Sequence, residues 1–383
     1  MTGAPSRPLP PASGGWREGD PAGRRQWLDT GAQPLELGGG LPHVRVAYET
    51  WGTPAHDGWE VVNAVLVLHA LTGDSHVAGP AGPGHPTAGW WDGLVGPGRL
   101  LDPARWWVVA PNVLGGCQGT TGPASAASDG RAWGSRWPAT TVRDQVETER
   151  RLADALGVRR WALVLGGSMG GYRALEWAVT HPGRVARLAA VATAAAASAD
   201  QLGTQGLQVQ AITSDPGWRG GDYHDAGAGQ GPHAGLGLAR RVAHLTYRGA
   251  AELETRFGRA PQPGEDPYAG GRFAVQSYLD HQADKLVRRF DAGSYAALTR
   301  TMDGHDVGRG RGGVEAALAR VTARTAVVGI DSDRLYPPAQ QQRIAAAVPG
   351  AHPLTVVGSA HGHDGFLLET AAVSAALAPL LTT

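Results

Sequence analysis

Two hydrophobic periodicities alternate along this chain. Dense apolar runs rich in Val, Leu and Ala predict strands over residues 44–50, 64–68, 106–111, 161–165, 188–192, 326–330 and 354–357. Between them apolar residues return every third or fourth position, the spacing of a helix with one buried face. The clearest such stretch is 142–156, which opens on Thr141-Val-Arg-Asp144 in the manner of a capping box and stops at Gly157. Strands apolar on both faces and separated by helices predict an α/β fold, a mostly parallel central sheet with helices on both sides. Between 198 and 322 the rhythm fails: helical patterns persist, notably 273–290 and 294–302, without a convincing β run. The pattern therefore divides the chain into a core of 24–197 and 323–383 and a helical insertion of 198–322. Residues 1–23, rich in Pro, Gly and Ser and lacking an apolar run of signal-peptide length, read as a disordered leader.

The strand predicted at 161–165 runs into Gly166-Gly-Ser168-Met-Gly170. In a chain with 57 Gly, Gly-x-Ser-x-Gly is a weak signal by itself. Its setting strengthens it: Leu163, Val164 and Leu165 precede it as a strand, and Ala174, Leu175, Trp177 and Ala178 follow at helical spacing. Strand, turn and helix in that order form a nucleophile elbow, where glycines permit a sharp bend that lifts the serine hydroxyl above the sheet. Ser168 is thus the candidate nucleophile of an acyl-transfer reaction.

Such a serine needs a base, and the base needs a carboxylate to orient it. On an α/β-hydrolase sheet the three occur in the chain order Ser, Asp, His. The strand predicted at 326–330 is followed by Asp331-Ser-Asp333, of which Asp333 is assigned to the triad. The last predicted strand is followed by Ser359-Ala-His361-Gly-His363-Asp364, which offers two histidines. A developing oxyanion also requires two fixed N–H donors. They are assigned to Leu71, in His69-Ala-Leu71-Thr-Gly-Asp74 after the strand at 64–68, and to Met169 after the nucleophile.

Composition narrows the alternatives. With 383 residues, 42% hydrophobic, the chain can bury a large core. Its 34 Lys and Arg balance 34 Asp and Glu, which leaves no electrostatic footprint for nucleic acid or an anionic membrane. No stretch approaches the roughly 20 apolar residues of a membrane span. Cys117 is the sole cysteine, which excludes an internal disulfide, fits a reducing cytoplasm, and, lacking an elbow, reads as a loop thiol rather than a rival nucleophile. The 14 His show no His-Glu-x-x-His spacing, so no metal is expected. Gly308-Arg-Gly-Arg-Gly-Gly313 lacks a leading strand and the Lys-Ser/Thr of a phosphate-binding loop, and reads as a solvated loop.

Several longer blocks bear on the chemistry together. His69-Ala-Leu-Thr-Gly-Asp74, Gly89-Trp-Trp-Asp-Gly-Leu-Val-Gly-Pro-Gly98, Asn112-Val-Leu-Gly-Gly-Cys117, Thr141-Val-Arg-Asp144, Gly166-Gly-Ser-Met-Gly-Gly171, Ala239-Arg240, Thr246-Tyr247-Arg248, Ser277-Tyr-Leu-Asp-His-Gln282 and Gly362-His-Asp-Gly-Phe366 make the chain, from about residue 42 to its end, resemble the homoserine O-acetyltransferases. That resemblance implies an α/β-hydrolase fold with a helical lid, and acetyl transfer from acetyl-CoA to the hydroxyl of L-homoserine in methionine biosynthesis. It implies a cytoplasmic homodimer formed through the lid, with acetyl-CoA as co-substrate and no permanently bound cofactor. By position, the family's triad falls on Ser168, Asp333 and His363. Its carboxylate-gripping Arg falls on Arg240, and its pocket Tyr and Asp on Tyr247 and Asp364. Gly365 departs from the Ala common in relatives. An arginine fork and a carboxylate suit an amino-acid acceptor, which carries one charge of each sign. A succinyl donor, a serine acceptor, plain ester hydrolysis and a non-catalytic binding role remain open at this point.

Overall fold

The computed structural model describes residues 8–382. Its main sheet has eight strands in the order β1-β2-β6-β5-β7-β8-β9-β10. They are β1 (Gln26–Pro34), β2 (Gly40–Trp51), β5 (Ala64–Leu68), β6 (Trp107–Pro111), β7 (Leu163–Gly167), β8 (Arg187–Val191), β9 (Arg324–Ile330) and β10 (Thr355–Val357). A two-residue-per-strand hairpin, β3 (His56–Asp57) with β4 (Glu60–Val61), stands apart. Only β2 runs antiparallel to its neighbours in the main sheet. All seven predicted strands are present, six of them within two residues at each end; the run at 44–50 starts four residues earlier, at Gly40. The run at 161–165 shifts to 163–167 because Trp161, fully buried, bridges Val185 instead of joining the ladder. The edge strand β1 escaped the sequence pattern, being mostly exposed and interrupted by register shifts around Gly31.

The central strands β5, β6 and β7 are buried at every position, which is why they read as unbroken apolar runs. Alternate side chains serve opposite layers: Leu66, Leu68 and Val164 pack beneath α1 (Val142–Ala155) and α2 (Met169–Thr180), and Val65, Val67 and Leu165 face α11 (Thr370–Leu381). At about 1.5–3 kcal/mol for each fully buried Val or Leu, these two layers dominate the favourable side of folding. Helix α1 begins with the predicted capping box, in which Thr141 and Asp144 each accept the other's backbone N–H.

Between β8 and β9 the chain leaves the sheet through α3 (Ala199–Thr213), α4 (His233–Tyr247), α5 (Ala250–Phe257), α6 (Ala274–Val287), α7 (Ala292–Asp303) and α8 (Val314–Leu318). The remaining helices α9 (Pro338–Ala347) and α10 (Gly365–Leu368) flank the last strand. Lid residues Ile212, Leu236, Leu286 and Tyr295 form one apolar cluster with Leu71, Met169, Tyr172 and Tyr336 of the core. The insertion therefore sits directly over the predicted elbow.

Part of the expected leader, residues 1–7, lies outside the described residues. Over 8–23 the expectation of disorder is corrected: Gly14 N–H donates to Phe290 O, Trp16 N–H to Cys117 O, and Pro10 O accepts from Gly229 N–H. Ala12 and Ser13 are buried. The glycine-arginine run at 308–313 is held by ion pairs, Arg309 to Glu36 and Arg311 to Glu176, which leaves its charges committed to the protein itself.

Candidate active site

Ser168 stands between β7 and α2 at φ 55°, ψ −126°. For a residue with a side chain this backbone costs of the order of 1–3 kcal/mol and persists only where the surroundings enforce it. They do. The Ser168 N–H donates to Val191 O (3.0 Å), and its carbonyl accepts from Gly171 N–H (2.8 Å) and the Thr193 hydroxyl (2.8 Å). A Cβ on Gly166 would lie 2.1 Å from Gly170 O, and one on Gly170 2.0 Å from Leu68 O. The two glycines are thus required by contact between three chain segments.

Asp333 lies beyond the C-terminal end of β9 and His363 on the Gly362–Asp364 turn after β10. His363 Nδ1 faces Asp333 Oδ2 at 2.6 Å. The other carboxylate oxygen accepts the N–H groups of Leu335 (2.9 Å) and Tyr336 (2.8 Å). Ser168, Asp333 and His363 are 6%, 3% and 3% exposed, a water-poor setting in which electrostatic effects are strong. Rings of Tyr336, Phe366 and Tyr247 surround His363 at 5.0, 5.2 and 6.0 Å. The Tyr336 ring stacks on His363, and its hydroxyl donates to that of Tyr172 at 3.1 Å. The rival residues point elsewhere: Asp331 Oδ1 accepts Ser359 N–H, and the half-exposed His361 faces Arg248 Nη2 at 3.1 Å. Burial pushes the Cys117 thiol well above its ordinary pKa, and its sulfur accepts Asp291 N–H, which suits an inert structural thiol.

Leu68 and Gly166 are register partners on adjacent parallel strands, so Leu71 and Met169 leave the sheet at the same level. Both are buried in the cluster under the lid. The loop bearing Leu71 is fixed by Arg173 on α2, a fully buried residue that donates to His69 O (2.5 Å) and to Glu149 Oε1 (2.6 Å). Burial and the Arg173 charge pull the His69 pKa down to about 3, and the neutral ring accepts Val113 N–H at Nε2 (3.0 Å).

Arg240 and Tyr247 lie on α4, the guanidinium 5.4 Å from the tyrosine ring centre. Arg240 Nε is buried and makes no hydrogen bond among the described residues. Asp364 follows His363 directly, and its Oδ2 accepts from Arg248 Nη1 at 3.2 Å. Burial raises the pKa of the Tyr247 hydroxyl, with Arg240 pulling it down and Asp364 pushing it up. Opposite charges thus flank one tyrosine beside His363. Sequence patterns assigned no part to Tyr336, Arg248 or Arg173: Arg248 closes the Thr246-Tyr247-Arg248 block and the other two follow recognised motifs by a few residues, but their contacts are made across the fold.

One histidine–carboxylate cluster among the described residues, Glu49, His76 and His85, has metal-like spacing. One donor atom from each of the three lies within 4.8 Å of the others, and the two imidazoles stack face to face at 3.8 Å. Glu49 accepts from His76 Nδ1 and the Ser75 hydroxyl, and His85 Nε2 accepts Arg24 N–H. The cluster is an internal ion pair tying the start of β1 to the core. A cleft of about 730 Å³ lined by Trp16, Arg45, Cys117, Trp133 and His224 includes none of Ser168, Asp333 and His363.

The elbow, the sheet order and the inserted helices define an enzyme of the α/β-hydrolase fold, and the model of that fold family matches residues 63–369. The chain is 62% identical over 372 residues to a homoserine O-acetyltransferase of Thermobifida fusca, covering 97% of each chain. It belongs to the homoserine O-acetyltransferase family. Among solved structures, a homoserine O-acetyltransferase from Bacillus anthracis superposes with a TM-score of 0.85 at 24% identity, over 94% of this chain and 97% of that one. Esterase E22 superposes with a TM-score of 0.84 at 24% identity, over 93% and 99%. These two likenesses concern the fold, which esterases and transferases share.

Proposed function

We propose that this enzyme transfers the acetyl group of acetyl-CoA to the hydroxyl of L-homoserine, giving O-acetyl-L-homoserine and CoA through an acyl-Ser168 intermediate. His363, oriented by Asp333, takes the Ser168 proton as the serine oxygen attacks the thioester carbonyl. The N–H groups of Leu71 and Met169 stabilise the oxyanion, the carbon–sulfur bond breaks, and the proton leaves with the thiol. Homoserine then gives its hydroxyl proton to His363, attacks the acyl-serine, and Ser168 recovers a proton as its ester bond breaks. No permanently bound cofactor enters this scheme, and the enzyme works in the cytoplasm.

The observation that carries this reading is the placement of Arg240 and Asp364 on either side of Tyr247, next to His363. An amino-acid acceptor brings a carboxylate to the first and an ammonium group to the second. Arg240→Ala is expected to lower kcat/KM for homoserine by about 10²- to 10³-fold, the cost of losing a buried charged hydrogen-bond pair. The burst of CoA released without acceptor should stay within about threefold of wild type, because homoserine has no part in the first half-reaction. Equal damage to both halves refutes the assignment. A panel of acetyl-CoA and succinyl-CoA against homoserine, serine and water, read by thiol release and product, tests donor, acceptor and transfer over hydrolysis together.

The lid also supports a homodimer. On α3 the buried positions are Gln201, Gln205, Gln208 and Ile212, whereas Leu202 and Leu207 are 43% and 61% exposed. Gly203 and Gly206 lie on the outer side with open space where a Cβ would stand. On α4, which packs against α3, Leu238 and Leu245 are exposed as well. An apolar outer face with small residues suits close contact with a second copy. Leu207→Glu should convert the dimer to monomer in sedimentation without shifting the far-ultraviolet circular dichroism. A monomeric wild-type enzyme would refute the dimer.

A further inference from the structure

One imidazole outside the triad is held in a single tautomer by the backbone around it. The His69 ring, buried just after β5, takes the Val113 N–H at Nε2 (3.0 Å). A backbone N–H can only donate, so Nε2 carries no proton and the ring's proton sits on Nδ1. Nδ1 lies 2.8 Å from Ala70 O and therefore donates to it. The same carbonyl accepts Gly73 N–H (2.9 Å), which closes a β-turn with Leu71 at its second position. A Cβ on Gly73 would stand 2.8 Å from the His69 Cβ, so the histidine and the turn are packed without slack.

Two donors on Ala70 O set the plane of the peptide that joins Ala70 to Leu71. No peptide bond among the described residues is cis, so the Leu71 N–H points to the side opposite that carbonyl. Leu71 is buried, yet this N–H makes no hydrogen bond among the described residues. Buried N–H groups without a partner are rare, and one fixed in direction is suited to meet charge that develops during a reaction. We propose that His69 is a positioning residue: by donating to Ala70 O it fixes the direction in which the Leu71 N–H meets the oxyanion. Arg173 completes the arrangement, reaching from α2 to His69 O and so tying this turn to the helix that begins with Met169. The inference rests on Leu71 being an oxyanion donor, as in the proposed reaction.

His69→Leu removes the donor to Ala70 O, whereas His69→Asn can restore it, because its NH₂ reaches the place of the imidazole Nδ1. Both variants lose the acceptor for Val113 N–H, so that cost in stability is common to them. His69→Leu is expected to slow the CoA burst and the deacylation by homoserine alike, by about 10²-fold, the order lost with one oxyanion donor. His69→Asn should stay within about tenfold of wild type in both. A purely packing role predicts the reverse order, since leucine replaces the volume of the ring more fully than asparagine, and that result overturns the proposal. Leu71→Pro deletes the N–H itself at a turn position that favours proline, and should slow both half-reactions by about 10²- to 10³-fold. Unchanged rates in Leu71→Pro would overturn the assignment of Leu71, and the proposal with it. A slow Leu71→Pro beside an unaffected His69→Leu, or a His69→Asn as slow as Leu71→Pro, would overturn the proposal alone.

Discussion

Ser168→Ala is expected to abolish the CoA burst and the acyl adduct, and to lower turnover by about 10⁵- to 10⁶-fold, as removal of the nucleophile does where a triad acts as a unit. The fold should survive. The strained backbone at Ser168 is held by Val191, Gly171 and Thr193 through main-chain atoms that alanine also possesses. Alanine meets the same φ of 55° with no larger Cβ, so the backbone strain is nearly unchanged. What disappears is one hydroxyl, whose hydrogen bonding is worth about 0.5–1.5 kcal/mol. Thermal melting within a few degrees of wild type, with no adduct by mass spectrometry after acetyl-CoA alone, is the expected pair of results. Acetyl transfer at more than about a hundredth of the wild-type rate would mean direct attack by homoserine on the bound thioester and end the acyl-serine mechanism.

How far the chain could be read before its structure depends on what each residue touches. The strands β5 to β9 lie between two helical layers, so both faces demand apolar residues and the runs stand out. The edge strand β1, with Gln26, Asp29 and Gln33 among its residues, carries no such mark. Ser168 and Asp333 could be proposed from the sequence because their neighbours along the chain, Gly-x-Ser-x-Gly and the end of a strand, carry the signal. His361 and His363 are two residues apart on one turn, and spacing could not separate them; in the fold His363 lies 2.6 Å from Asp333, and His361 faces Arg248. Residues 8–23 look disordered by composition because main-chain hydrogen bonds to Phe290, Cys117 and Gly229 leave no trace in residue type.

Helix α3 shows the opposite case, where residue type misleads. An amphipathic reading would bury Leu202 and Leu207 and expose Gln201, Gln205 and Gln208. The structure does the reverse. The inner side of the lid faces phenols and main-chain carbonyls, and buried hydroxyls there need amide partners: Gln208 Oε1 accepts from the Tyr295 hydroxyl at 2.6 Å, and Gln201 serves Ser198, Tyr172 and Leu335. The apolar side is left outward, where a second copy of the chain would cover it. Polarity of the lid's inner side thus reports the hydroxyls and carbonyls beneath it, not the usual division between core and water.

Asp333→Asn separates orientation of the base from charge in a way this site makes sharp. Asp333 Oδ1 is committed to two main-chain donors, Leu335 N–H and Tyr336 N–H, at 2.9 and 2.8 Å. An asparagine can satisfy both only with its carbonyl oxygen, which forces its NH₂ toward His363. His363 Nδ1, 2.6 Å away in the wild type, must then accept rather than donate. The proton moves to Nε2, and a histidine protonated there cannot take the Ser168 proton. The flipped amide fares no better, since it sets NH₂ against two buried N–H groups, an arrangement costing several hydrogen bonds. A loss of about 10⁴-fold in kcat/KM is therefore expected, with the acylation burst slowed to the same degree and the melting temperature lowered only modestly. Asp331→Asn is the control, since its carboxylate takes only the Ser359 N–H and its loss should leave turnover within about twofold. Should Asp333→Asn keep more than a tenth of wild-type activity, the hydrogen bond between Asp333 and His363 would be structural, and the base that activates Ser168 would have to be sought elsewhere.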